Sequence, residues 1–223
     1  ALIGDSKADS IYKGLVRTSL PNARWLFIGG AGLDDVPVPV LTENKAYSKY
    51  QKASAIALKE VSNNKNIDKV LIVIAARSIF QVESPYLLSP DNKHKNYDDA
   101  FNGLNKALDI LIKSGKKVVL LIDNPTLSDP KHCLIRKTKF DYLNTFFKEN
   151  KNPACHISIG THLKLSEPYL KLIQNISNKD PNKIKIFDTV KYLCDFQTGF
   201  CSSHKNNRLL YSYSDHISDY AAG

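Results

Sequence analysis

Lys69-Val70-Leu71-Ile72-Val73-Ile74 and, further along, Lys117-Val118-Val119-Leu120-Leu121-Ile122 are nearly unbroken apolar runs. A strand with one wet face alternates apolar and polar residues, whereas a continuous run suits a strand covered on both faces, as in a parallel sheet. Outward from these two strands, the pattern alternates strand and helix. Leu2-Ile3 ends a first strand, and residues 8–19 read as a helix with Ile11, Leu15 and Val16 on one face. Residues 24–28 form a second strand, which ends at Gly29-Gly30. A loop with three valines and two prolines precedes a long helix over 43–61. A second loop (81–96) and a helix over 97–114, stopped by Gly115, separate the two apolar runs. Helices over 137–148 and 167–176 and a fifth strand over 183–187 follow. These βα units predict an α/β/α sandwich: a mostly parallel, doubly wound sheet of about five strands with helices on both faces. No repeat or break in composition divides the chain, so residues 1–223 are expected to form one domain.

In such sheets, sites form beyond the carboxyl ends of the strands. Ser6, Gly29-Gly30, Arg77, Asp123-Asn124 and His216 all fall there. The chain has 31 basic and 22 acidic residues, a net charge of +9, which favours anionic partners. The lysines are dispersed among asparagines, as in Asn63-Asn64-Lys65-Asn66, and look like solvated loops. No interleaved aromatic motif supports base stacking, so nucleic acid is not expected as a partner. No apolar run is long enough to cross a bilayer, and the chain starts directly on an apolar strand without a visible signal peptide. That abrupt start, in a chain without Met, is expected of a piece cut from a longer protein.

All four cysteines lie in the second half. Cys194 and Cys201 flank a segment of hairpin length, and Cys133 and Cys155 make the other pair. Two disulfides imply an oxidising compartment, meaning periplasm or cell exterior. Zinc held by His132-Cys133, Cys155-His156 and His204 is the competing reading. It is weakened by the lack of a CxxC pair and by the difficulty of aiming adjacent His and Cys at one ion. Buried free thiols are a third option.

Ser6 follows an apolar strand and precedes an amphipathic helix, within Gly4-Asp5-Ser6. An Asp or Ser there is ordinarily an N-cap. A serine at that turn also sits near the positive end of the helix dipole, beside N–H groups that can hold an oxyanion. A serine hydroxyl needs a base to become nucleophilic, and a neutral imidazole, that of His216, can serve. Asp123-Asn124-Pro125 either lines the cleft or forms an Asx turn. Trp25 and Tyr86 either stack on a sugar or pack in the core.

These blocks resemble the SGNH (GDSL-type) hydrolase family, and more narrowly the extracytoplasmic SGNH domains fused to acyltransferase-3 membrane proteins. Such domains carry Gly-Asp-Ser-His-Ala early, where this chain has Gly4-Asp5-Ser6-Lys7-Ala8. They carry a mid-chain strand ending in Ala-Ala-Arg-Trp, here Ala75-Ala76-Arg77-Ser78. They end with a cysteine pair, a Leu-Tyr step and Asp-His-Leu-Ser, here Cys194, Cys201, Leu210-Tyr211 and Asp215-His216-Ile217-Ser218. The resemblance spans essentially the whole chain. It implies acyl-ester chemistry without a cofactor or metal. Ser6 would be the nucleophile and His216 the general base, and an acyl group, often acetyl, would pass to a cell-surface glycan. The donor would be delivered by a fused transmembrane domain, with this chain on the periplasmic or extracellular face, monomeric when isolated.

Two departures stand out. Tyr213 occupies the position three before the histidine where the family has an orienting Asp; Asp215, adjacent to the ring, is the candidate third member. A backbone carbonyl in a Ser–His dyad, or a weakened domain, are the other options. The family's mid-chain oxyanion Asn is also missing, which leaves Arg77 and a glycine (Gly29, Gly30 or Gly32, with Gly30 taken as the candidate) beside the Ser6 N–H as candidate donors. Lys7, in place of the family's histidine, is expected to face solvent. A secreted carbohydrate or lipid esterase and a non-catalytic glycan-binding module are the alternative functions.

Overall fold

The computed structural model describes residues 1–30, 32, 36–83, 95–127, 133, 155–206, 208–213 and 215–223. The expected helix over 137–148, Tyr86 and most of the 81–96 loop lie outside them. Five parallel strands form the central sheet: β1 (Leu2–Gly4), β2 (Phe27–Gly29), β3 (Lys69–Val73), β4 (Lys117–Leu121) and β6 (Ile184–Phe187), in the order β2-β1-β3-β4-β6. β5 (His156–Ser158) belongs to a small second sheet. The chain winds outward from β1 in both directions, so the switch point of the topology lies at the carboxyl end of β1, beside Ser6.

The helices are α1 (Ser6–Thr18), α2 (Ser48–Asn63), α3 (Ala76–Phe80), α4 (Tyr97–Lys113), α5 (Ile159–Leu165), α6 (Glu167–Ser177) and α7 (Val190–Leu193). The start of the helix expected over 43–61 is a separate 3₁₀ turn, Lys45–Tyr47, capped by the Asn44 side chain. The apolar runs are two-faced. Ile3, Val70, Ile72, Val118, Leu120 and Ile184 pack against α2, α4 and α6. Leu2 and Val73 turn the other way, onto Ala8 and Ile11 of α1. Val16 is a correction to the sequence reading: it is 46% exposed, because the buried stripe of α1 runs through Lys7, Ala8, Ile11 and Gly14 instead.

Gly4 explains how α1 can approach so closely. A Cβ there would lie 1.8 Å from the Val73 carbonyl oxygen and 2.8 Å from the Ala8 Cβ. Beyond β6 the chain forms short antiparallel pairs. β7 (Cys194–Asp195) and β8 (Phe200–Ser202) make the expected hairpin, with Cys194 opposite Cys201 and bonded to it. Cys133 is bonded to Cys155, so both expected pairings are present. β9 (His204–Lys205) pairs with β10 (Arg208–Leu209). β11 (Tyr211–Tyr213) pairs with β12 (His216–Ile217), setting Tyr213 opposite His216. The last residues then pack along α1: Arg17 pairs with Asp219 at 3.1 Å, and a Cβ on Gly14 would meet the Ala222 carbonyl at 2.2 Å. Among the described residues, no helix is long and apolar enough to cross a membrane.

Candidate active site

The turn after β1 is built by Asp5. Its carboxylate caps α1 by accepting the Lys7 N–H (3.0 Å), and its other oxygen accepts the Ala75 N–H (3.1 Å) and the Ser78 hydroxyl (2.8 Å). One side chain thereby locks the turns after β1 and β3 together and leaves Ser6 as the first helical residue. β12 brings His216 to it from the other end of the chain. The Ser6 hydroxyl lies 2.8 Å from His216 Nε2, and His216 Nδ1 lies 2.6 Å from Asp215 Oδ1. The adjacent Asp does reach the ring. Tyr213, at the family's Asp position, instead lays its ring against the imidazole, with centroids 4.2 Å apart and planes at 24°.

Asp215 and His216 are 5% and 4% exposed. Burial, with the Lys7 and Arg77 cations, lowers the imidazole pKa from 6.5 to about 4, against the opposing pull of Asp5 and Asp123. The ring is therefore neutral at neutral pH. With Nδ1–H donated to Asp215, Nε2 is free to accept the serine proton. That arrangement can raise the nucleophilicity of a hydroxyl at the moment of attack.

Arg77, on α3, pairs with Asp215 Oδ2. Its guanidinium makes this ion pair through Nη1, and its side chain is 29% exposed. Gly30 lies just past β2, half-buried, with no atom within 4 Å of where a Cβ would stand. Trp25 packs beside the α1 face and donates its indole N–H to the Ser19 hydroxyl at 2.8 Å. Asn124 makes no isolated Asx turn: its amide donates to the carbonyls of both Pro125 and Asp215, each at 3.1 Å. Among the described residues, no group of three or more His, Cys, Asp or Glu side chains is placed to hold a metal ion. An apolar cavity of about 570 Å³ lies on the α1 side of the sheet and reaches Lys7, Asp123 and Asn124, but neither Ser6 nor His216 lines it.

Lys7 overturns the sequence expectation. It is 3% exposed, with its ammonium 2.9 Å from Asp123 Oδ1, 3.3 Å from Asn124 Oδ1 and hydrogen-bonded to the Asp215 carbonyl. Burial lowers its pKa, and Asp123 opposes that shift. Helical spacing carried the signal: Lys7 is four residues before Ile11, on the buried stripe. Asp5 and Asp123 are likewise structural members of the cluster that residue type alone did not assign.

The fold around this site is that of an SGNH domain. The chain belongs to the family of SGNH domains fused to AT3 domains, whose model matches residues 1–223. The periplasmic domain of a lipopolysaccharide acetyltransferase from Salmonella ser. Paratyphi A has a similar fold, with a TM-score of 0.62, 14% identity, and coverage of 99% of this chain and 78% of that one. A "putative acylhydrolase" from Bacteroides fragilis NCTC 9343 is less similar, with a TM-score of 0.47, 12% identity, and coverage of 99% and 80%. No curated protein matches the chain.

Proposed function

We propose that this chain is an extracytoplasmic serine O-acyltransferase domain that carries an acyl group, acetyl in the first instance, to a hydroxyl of a cell-surface glycan. The observation that carries the reading is the hydrogen-bonded series Ser6–His216–Asp215 at the switch point of the sheet. The Ser6 oxygen attacks the carbonyl carbon of the donor as His216 Nε2 takes its proton. The resulting oxyanion lies at the start of α1, where the Ser6 and Gly30 N–H groups are the donors we assign to it. Collapse expels the donor's leaving group with the proton from His216 and leaves an ester on Ser6. A glycan hydroxyl then gives its proton to His216, attacks the ester and releases Ser6. Water in place of the glycan gives slow esterase activity.

The remaining parts of the reading draw on family and composition. Fusion to AT3 domains supports delivery of the acyl group by a membrane domain. The two disulfides support an oxidising compartment, and the charge of +9 suits an anionic polymer. The test is acetyl release from p-nitrophenyl acetate, with mass analysis of the peptide holding Ser6. Wild type should turn over and gain one acetyl group on that peptide, and Ser6→Ala should do neither. Equal rates for the two proteins would remove Ser6 from the mechanism.

A further inference from the structure

We propose that Lys7 is a positioning residue of this site: its buried ammonium holds the main chain at Asp215 so that a carboxylate adjacent to His216 can reach the imidazole. The inference rests on the reading of Ser6 and His216 as nucleophile and base. Neighbouring residues on a strand point to opposite faces, so an Asp directly before a His does not meet its ring in regular β structure. Asp215 lies just outside β12 and needs a fixed, non-strand conformation to make that contact.

Two donors converge on its carbonyl oxygen, the Lys7 ammonium and the Asn124 amide. Its carboxylate is shared between His216 on Oδ1 and Arg77 on Oδ2, with Lys7 Nζ 3.6 Å from Oδ2. An ammonium has three donors, and Lys7 meets Asp123 Oδ1, Asn124 Oδ1 and the Asp215 carbonyl. Asp123 Oδ2 in turn accepts the Ala76 N–H at 2.8 Å, at the start of the helix that bears Arg77. One cation therefore ties the connections after β1, β3 and β4 to the segment that carries the base.

The plainer role for Lys7 is to neutralise Asp123 in a buried pair. The two roles separate in the neutral double variant Lys7→Met/Asp123→Asn. If neutralisation is all that matters, the double variant regains what Lys7→Met loses. If Lys7 positions Asp215, the carbonyl still lacks its ammonium and turnover stays low.

A pH profile gives a second readout. The charged groups facing His216 are Lys7 from α1, Asp5 from the turn before it, Arg77 from α3, Asp123 from the loop after β4 and Asp215 from its own segment. The Tyr213 phenol stacks on the ring from β11. Lys7 disfavours the imidazolium, so its removal lets His216 keep a proton to higher pH.

The experiment measures p-nitrophenyl acetate hydrolysis by the 223-residue chain, with Ser6→Ala and His216→Ala as controls, and folding checked by circular dichroism. Lys7→Met is expected to lower kcat about 100-fold with KM held within about twofold, the signature of a displaced base. Its acid limb should move up by on the order of one pH unit, and the double variant should not recover kcat. Wild-type kcat and acid limb in Lys7→Met, or recovery in the double variant, overturns the proposal. If the single variant does not fold, the double decides; failure of both to fold makes Lys7 a purely structural residue and also overturns it. Active controls would overturn the underlying reading of Ser6 and His216 instead.

Discussion

His216 is the residue whose surroundings most constrain the chemistry. An imidazole that stays neutral down to about pH 4 remains an available base far into acid. The acid limb of kcat/KM should accordingly fall near pH 4 rather than near the ordinary value of 6.5. A limb at the ordinary value would show that the ring titrates as if exposed. The Asp215 contact makes a second demand at this scale. Asp215→Asn should lower kcat by about 10²- to 10⁴-fold, because the amide no longer fixes the tautomer. Tyr213→Phe, which keeps the stacked ring, should change kcat by a small factor only. A reversed ranking in the same esterase assay would return the orienting role to position 213. The sequence named Ser6 and His216 through their flanking blocks, but left Asp215 open. A carboxylate's reach depends on the backbone of a short segment outside a strand, and the residue types do not encode it. Lys7 differs from expectation for a related reason: its charge argues for solvent, while its helical phase sets it on the buried stripe of α1.

At the scale of elements, the crowding between β1 and α1 sets the position of Ser6. Gly4→Ala would press a methyl group into the Val73 carbonyl and the Ala8 side chain, both part of the sheet-to-helix packing. Neither neighbour is the loose end of a flexible chain. We expect a loss of about 1–3 kcal/mol in urea unfolding, together with lower activity because the turn before Ser6 must shift. Gly30→Ala meets open space and should stay within about 0.5 kcal/mol of wild type. Equal stability for the two alanine variants would mean that α1 is free to move away from the sheet. The elements were legible where periodicity was strong: β3, β4, α4 and α6 fall within a residue or two of expectation. The short pairs from β9 to β12 were not, since two- and three-residue strands are defined by their partners and carry no period of their own.

Across the whole molecule, the buried cluster ties stability to pH. The unfolded chain takes a proton on His216 near pH 6.5, whereas the folded chain resists it until about pH 4. Between those values the unfolded state holds more protons, so stability is complete above the ordinary value and declines as pH falls toward the depressed one. For His216 this contribution amounts to roughly 3 kcal/mol. Urea midpoints at neutral and mildly acid pH should diverge for wild type and converge for His216→Gln. The same slope in both proteins would assign the acid sensitivity to other groups.

The closing of the last residues onto α1 has a consequence for biosynthesis. Ser6 and its sheet partners leave the ribosome long before His216 does, and 210 positions separate the two. A polypeptide that ends before β12 therefore carries the hydroxyl without the imidazole it meets in the folded chain. On the proposed mechanism such a polypeptide would have no base for Ser6.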